Sequence, residues 1–281
     1  MRKHGPVELL AVKLLLAPSF VVVASLAARR YGPRVGGLIA GLPVVAGPIL
    51  LAYALDHGSA FAAGAAVGTL LGLVSLIAFV VVYARLAVRA RWGVSLLAGW
   101  LAFALATAAF SVISVPAGAA LAIAGAGLLI GLAATPRAPA EVRERAPVPA
   151  WDLPMRAACA LALVLTLTAV AGWLGPQLSG LLAPFPIIAT VLATFTHAQH
   201  GAAEAQRLLR WLLGGYGAFA LFCFTLAVSL GTLGIGGSFA LATAIALLTQ
   251  GVLIALLPRM PAVASAPIAG APGALSSRSG S

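Results

Sequence analysis

The sequence is a succession of apolar runs that are separated by short segments with glycine, proline or arginine. Most runs are about 20 residues long, which is the length that a helix needs to cross the hydrocarbon core of a bilayer. Helices are required because a backbone that faces lipid must satisfy its own hydrogen bonds, and no run has the alternating pattern of a barrel strand. The sequence therefore predicts an all-α, polytopic integral membrane helix bundle.

The apolar runs predict nine transmembrane helices, counted between the glycines, prolines and charges that interrupt them. The predicted spans are residues 7–28, 35–55, 60–83, 94–114, 117–134, 153–173, 178–197, 208–230 and 237–257. The fifth span consists mostly of alanine and glycine, and its place in the count rests on the distribution of charge.

Positive charge is concentrated in the segments that follow the odd-numbered spans. The chain carries a net charge of +11, but its arginines fall in short clusters between apolar runs, which argues against a nucleic-acid partner. With nine spans, almost all Lys and Arg residues lie on one side of the bilayer. The positive-inside rule then predicts an N-terminus outside and a C-terminus in the cytoplasm.

One stretch of the sequence occurs twice. GPRVGGLIAGLPVVAGPILLAYALDHG, residues 32–58, is echoed 143 residues later by GPQLSGLLAPFPIIATVLATFTHAQHG, residues 175–201. Paired glycines, prolines and histidines keep one register, which chance matches of Ala and Leu would not produce. Each copy lies in a unit of four spans, and the single helix between the units places the second unit upside down in the membrane. The sequence therefore predicts two inverted four-helix repeats, an architecture that many secondary transporters use.

The predicted domains follow from the repeat. A first membrane repeat occupies residues 1–116, a linker transmembrane helix 117–134, a cytoplasmic loop 135–152, a second, inverted repeat 153–257 and a disordered cytoplasmic tail 258–281. The tail is rich in Pro, Ala, Gly and Ser, which is the composition of a disordered segment.

The second copy also resembles a known family. The stretch LSGLLAPFPIIATVLATFTHAQHGAAEAQRLLRWLLGG, preceded by a basic residue near the start of the previous helix (Arg156, and Lys13 in the first unit), resembles the GlpM family of small four-span bacterial inner-membrane proteins. The resemblance covers residues 150–230 best and 8–85 more faintly. It implies a bacterial inner-membrane location, a four-helix unit and an association with exopolysaccharide production. The chain departs from the family in carrying two units and a linker helix, and its overall plan is similar to that of the drug/metabolite transporter superfamily.

Two features of the repeated helix are candidate substrate-binding elements. Pro43 and Pro186 interrupt the second and seventh spans, where a broken helix lines a substrate path or is a packing kink without a ligand. Thr190, Thr194 and His197 are spaced to share one face of the seventh helix. The alternative for the threonines is a hydrogen bond to their own helix backbone, and for His197 a place at the water interface.

Five further polar residues are candidates from their repeat positions. Lys13 and Arg156 would meet an anionic substrate from opposite sides, or snorkel to the lipid headgroups. His57 and His200 would form a proton-coupling pair, or cap two helices beside glycines. Gln250 should face the bundle, where it would contact substrate or bind a neighbouring helix.

The sequence offers no enzymatic constellation. Its six acidic residues all lie outside the middle of the predicted spans, and no cofactor or metal site is indicated. The first functional hypothesis is a transporter or permease for a small neutral or anionic solute. The alternative is a non-transporting accessory protein of envelope or exopolysaccharide production. Its predicted surroundings are the lipid bilayer and a small solute, and a homo-oligomer or an envelope-synthesis partner stays open.

Overall fold

The computed structural model describes residues 6–138, 149–166 and 185–256, with side chains from residue 17 onward. The regular structure of these residues is helical throughout, as the sequence predicts. The helices are α1 (Pro6–Tyr31), α2 (Pro33–Ala40), α3 (Ala46–His57), α4 (Ser59–Leu86), α5 (Trp92–Phe110), α6 (Ala117–Ala134), α7 (152–166), α8 (Ile187–His200), α9 (Ala202–Ser229) and α10 (Gly234–Ala255).

Five of the described helices, α4, α5, α6, α9 and α10, are long and apolar enough to cross a bilayer. The most apolar stretches of α4 and α9 are 56% and 67% buried inside the molecule, whereas those of α5, α6 and α10 are only 17%, 17% and 22% buried. The helix pair α4 and α9 therefore forms the centre, and the other three helices present most of their apolar surface outward, as expected for lipid contact. The chain is a helical membrane protein.

The second predicted span, 35–55, is wrong as a continuous helix. The structure divides it into α2 and α3, with residues 41–45 non-helical between them. Pro43 lies in the interruption, and Pro48 lies in the first turn of α3, where its missing N–H costs nothing. The break carries its own hydrogen bonds, since the Leu42 N–H donates to the Ile39 carbonyl at 3.1 Å.

The seventh predicted span, 178–197, is described only in part. Residues 178–184 lie outside the described residues, and α8 begins at Ile187 and ends at His200. The predicted cytoplasmic loop, 135–152, is also described only in part, since residues 139–148 lie outside the described residues, and its last residue, Asp152, begins α7. The predicted disordered tail, 258–281, lies wholly outside the described residues.

Helix bounds coincide when the chain is shifted by the repeat interval of 143 residues. The helices α4 and α9 both have 28 residues and are related by this shift at both ends. Each follows a glycine in the left-handed region, Gly58 with φ 87° and Gly201 with φ 86°. Only glycine adopts this conformation without strain, so each glycine allows the sharp reversal from one helix into the next. The two copies therefore share their local structure in this segment.

The central helices run in opposite directions, and arginines gather at one end of the bundle. The amide of Gln206, near the start of α9, donates to the carbonyl of Ala84, near the end of α4, at 2.7 Å. At the same end, Arg85 and Arg210 donate to the last carbonyls of α6, those of Leu132, Ala134 and Thr135, at 2.6–2.9 Å. These arginines satisfy carbonyls that have no partner within the helix. We call this the arginine end.

Glycines bring α2 against α9 at backbone distance. A Cβ atom on Gly41 would lie 2.6 Å from the backbone of Gly215, and one on Gly215 would lie 2.6 Å from the carbonyl oxygen of Leu38. Such contacts leave no room for any side chain at these two positions. The short helix α2 is thereby held on the central helix α9, next to the interruption at Pro43.

Candidate functional site

The two proline interruptions meet at one cavity. Pro43 and Pro186 both line it, together with residues from the central helices. Its volume is about 50 Å³. We call it the proline cavity, and its lining residues are Ala40, Leu42, Pro43, Val45, Ala46, Leu76, Phe185, Pro186, Ile187, Ile188, Ala189, Tyr216 and Phe219. Its walls are apolar, and among these residues only Tyr216 has a polar side-chain group.

The lining of the proline cavity follows the repeat. Ten of the thirteen residues form five pairs whose members are 143 positions apart. The pairs are Leu42 with Phe185, Pro43 with Pro186, Val45 with Ile188, Ala46 with Ala189, and Leu76 with Phe219. Equivalent elements of the two copies therefore face each other across one small space.

The polar face of α8 is turned toward helices of the first unit. The indole N–H of Trp100, on α5, donates to the hydroxyl of Thr190 at 3.0 Å. The hydroxyl of Tyr83, on α4, lies 3.4 Å from Nδ1 of His197, and the two rings meet edge to face. The Thr194 hydroxyl is buried and completes no hydrogen bond of normal geometry, although it interacts with the Tyr83 side chain. These contacts account for much of the polar face.

The polar face and the proline cavity are neighbours but are not one site. Thr190, Thr194 and His197 are absent from the cavity lining. Phe185, which does line the cavity, packs against the rings of Trp100 and Phe103 at centroid distances of 5.7 and 5.5 Å. An aromatic cluster therefore separates the two candidate binding elements.

Arg156 belongs to a buried ion-pair network, centred on Asp152, that the sequence did not reveal. Its side chain donates through Nε to Asp152 at 2.8 Å, and its guanidinium lies 5.0 Å from the centre of the Phe195 ring. Asp152 is completely buried and also accepts hydrogen bonds from Arg29 and Gln199. Arg156 is 5% exposed, so snorkelling to lipid headgroups does not describe it. We call Asp152, Arg29, Arg156 and Gln199 the Asp152 network.

The partners of Asp152 control its ionisation. Burial opposes the charged form, but hydrogen bonds from Arg156, Gln199 and Arg29 outweigh burial and lower the pKa of the carboxyl. The carboxylate therefore stays charged at neutral pH and ties the start of α7 to the ends of α1 and α8.

A second and larger cavity adjoins this network at the arginine end. Its volume is about 190 Å³, and it lies between α1, α7, α8 and α9. Its lining residues are Ser25, Ala28, Arg29, Pro33, Arg156, Leu192, Thr196, His200, Glu204 and Leu208. We call it the arginine cavity. His200, a candidate for proton coupling, is part of its wall.

The two candidate histidines have different surroundings. His57 is exposed at the end of α3 and stacks near Phe61, with the ring centres 4.7 Å apart. His200 lines the arginine cavity, where α9 starts. Because the antiparallel helices α4 and α9 begin just after these histidines, the two imidazoles lie at opposite ends of the bundle, about 40 Å apart. They do not form a directly interacting pair.

Gln250 faces the bundle interior, as expected, but its amide has no hydrogen-bond partner in the described part of the chain. Both polar atoms of its side chain are buried and make no hydrogen bond with the described residues. Its repeat counterpart, Thr107, has a buried hydroxyl in the same condition. Lys13 lies in α1, and its side chain is outside the described part of the chain. No group of three or more His, Cys, Asp or Glu residues that could hold a metal ion occurs within the described residues.

Comparisons with known proteins give no relative. No protein-family model matches the chain, no curated protein matches it, and no solved structure matches it.

Proposed function

We propose that the protein is a bacterial inner-membrane transporter or permease for a small neutral or anionic solute, working by alternating access between two inverted four-helix repeats. The observation that carries the proposal is the proline cavity, which five repeat-related residue pairs line from both sides. In transporters built from inverted repeats, the substrate site lies where the repeats meet, beside interrupted helices. Both interruptions, at Pro43 and Pro186, border this cavity.

The antiparallel course of α4 and α9 supports the inversion of the second repeat. These helices are equivalent in the repeat, and the end of one lies beside the start of the other. Because the two halves are equivalent and run in opposite directions, they can pack together in two equivalent ways. In each arrangement, a different half opens its own side of the proline cavity. Exchange between these packings would expose the proline cavity to each side of the membrane in turn.

The lining argues for the class of solute. The described walls of the proline cavity hold no charged side chain, so a cation would meet no compensating carboxylate there. The volume of about 50 Å³ fits only a few water molecules at most, so the structure corresponds to a closed form of the path. Arginines at one end would attract anions, which leaves neutral and anionic solutes as candidates.

Filling the cavity tests the proposal. Ala46→Phe and Ala189→Phe enlarge two repeat-equivalent residues of its wall, whereas Ala60→Phe and Ala203→Phe enlarge a repeat-equivalent pair on the exposed surface. A deletion strain screened for accumulated metabolites supplies the solutes, and uptake is then measured in proteoliposomes. We expect both cavity variants to lose most of their uptake and both surface variants to keep it. Equal uptake by all four variants would refute the placement of the path.

A milder substitution covers the case in which a phenylalanine prevents folding. Ala189→Cys keeps the size of the wall residue close to that of alanine, and a charged thiol reagent can then be added to the folded protein. Modification should stop uptake, and excess solute should slow the modification.

One observation favours the accessory role instead. Gly64 and Gly68 on α4 are exposed and have open space where a side chain would be, which suits close contact with a helix of another protein. In that case the chain would serve envelope or exopolysaccharide production as a GlpM-like helper of a synthase. If the deletion strain loses surface polysaccharide and the uptake-defective Ala189→Phe variant restores it, the accessory role is favoured over transport.

A further inference from the structure

The arginine cavity has an excess of positive charge. Arg29 and Arg156 share a single carboxylate, that of Asp152, and Glu204 is already paired with Arg207 at 2.7 Å. Within the described residues, the two guanidinium groups of the cavity wall thus carry one positive charge more than the carboxylate that they share. A guanidinium has five N–H donors, and the hydrogen bonds that Arg29 and Arg156 make with the described residues use only part of them.

A buried hydroxyl without a partner lies in the same wall. Ser25 is 3% exposed, it lines the cavity, and its Oγ has no hydrogen-bond partner among the described residues. Leaving a buried hydroxyl unpaired is unfavourable, which makes such a group a marker of a missing ligand or water. A ligand with acceptor oxygens would satisfy the hydroxyl and the free guanidinium donors together.

The cavity is accessible and of suitable size. The side chain of Arg29 is 33% exposed, so the cavity opens at the arginine end, while Arg156 forms its buried floor. A volume of about 190 Å³ corresponds to on the order of six water molecules, which is enough for an anionic group and part of its attached body.

We propose that the arginine cavity binds the anionic oxygen group of a small ligand, a carboxylate or a phosphate, through the free donors of Arg29 and Arg156 and the hydroxyl of Ser25. Asp152 is a positioning residue, because it orients both guanidiniums and leaves one positive charge for the ligand. The inference goes beyond the proposed transport function and does not rest on it, since binding itself needs no transport. A soluble anion bound here would narrow the transport proposal to an anionic substrate. The same chemistry fits a soluble anion or the headgroup of an anionic phospholipid.

The soluble source is tested by direct binding. The full chain is purified in an uncharged detergent, and inorganic phosphate and acetate are titrated calorimetrically at constant ionic strength. Arg29→Gln removes hydrogen-bond donors from the rim of the arginine cavity, while Asp152 keeps its hydrogen bonds with Arg156 and Gln199. Ser25→Leu fills the cavity with a larger, apolar side chain. The matched control is Arg89→Gln, which removes the same charge from an exposed position outside the cavity. We expect affinity to fall about 10- to 100-fold in both cavity variants and to stay within about twofold in the control.

The lipid source is tested in parallel. The same four proteins are placed in nanodiscs of neutral phosphatidylcholine with and without phosphatidylglycerol, and lipids that stay bound are identified by native mass spectrometry. Phosphatidylglycerol that stays on the wild type and the control, but not on Arg29→Gln, would identify the headgroup as the ligand. If neither anion nor phosphatidylglycerol binds, or if the cavity variants bind as well as the control, the proposal is wrong. Anion binding without uptake in proteoliposomes would refute only the transport function.

Discussion

At the scale of single residues, the environment of a polar group decides its role more than its type does. Asp152 follows a proline-rich segment and would ordinarily be solvated, yet it is fully buried among two arginines and a glutamine. Asp152 and Arg156 are four residues apart, and residues at this spacing share a helix face. This spacing is the one local signal in the sequence that the two side chains form an ion pair. Its bonds to Arg29 and Gln199 join residues far apart in sequence, which no local pattern indicates.

Removing the charge of Asp152 should destabilise the protein strongly. In Asp152→Asn, the buried guanidinium of Arg156 loses its counter-ion, at a cost of about 3–5 kcal/mol. The matched control is Glu204→Gln, which breaks the partly exposed pair with Arg207 and should cost under about 1 kcal/mol. Thermal unfolding followed by tryptophan fluorescence in detergent compares the two variants. Equal shifts in their midpoints would contradict a structural role for the Asp152 network.

The same network predicts a dependence of stability on acid. Because its partners lower the pKa of folded Asp152, the carboxylate contributes stability above its unfolded pKa of about 3.9, and this contribution is lost as the pH falls through the lower folded value. Between pH 7 and pH 3, the wild type should lose more stability than Asp152→Asn does. Unfolding midpoints measured over that range check the difference, and parallel curves for the two proteins would exclude this contribution from Asp152.

At the scale of helices, the sequence indicates which elements exist, and where prolines interrupt them, better than it indicates how they pack. The sequence shows two local features of the central helices: a glycine before each helix and the shared register of the two copies. The structure has α4 and α9 at the matching positions that these features indicate. The interruption between α2 and α3 has a local signal in Pro43, but the packing of α2 has none. The helix α2 lies on the glycines of α9, a contact that joins residues more than 170 positions apart.

The glycine contact between α2 and α9 predicts a strong effect of one methyl group. Gly215→Ala places a Cβ 2.6 Å from the Leu38 carbonyl oxygen, and both helix backbones must separate, at a cost of about 1–3 kcal/mol. Gly64→Ala is the control, because a Cβ there meets nothing within 4 Å and alanine favours a helix by about 1 kcal/mol. We expect a lower unfolding midpoint for the first variant and an equal or higher one for the second. Tolerance of alanine at position 215 would show that α2 is not packed as described.

At the scale of the whole molecule, the arrangement can be understood as a buried antiparallel pair, α4 and α9, surrounded by lipid-facing helices. The charge pattern of the sequence predicts that arginines gather at one end of the bundle. Arg85 and Arg210 both contact the end of α6, which brings the two segments that carry these arginines together. Pro43 and Pro186, which meet at one cavity, were both expected from the repeat as candidate binding elements. The Asp152 network and the arginine cavity were not, because they depend on how α1, α7 and α8 pack against one another.

The opposite ends of the central pair lead to a test of orientation in the membrane. Val88 follows α4 at the arginine end and is 59% exposed, whereas Thr232 follows the antiparallel α9 at the other end and is also exposed. The segment around Val88 carries Arg85, Arg89 and Arg91, so the positive-inside rule predicts a cytoplasmic location for it. The two native cysteines, Cys159 and Cys223, are first replaced by alanine, and single cysteines are then introduced as Val88→Cys or Thr232→Cys. A membrane-impermeant maleimide should label position 232 in intact spheroplasts and position 88 only after permeabilisation, and the reverse pattern would overturn the proposed orientation.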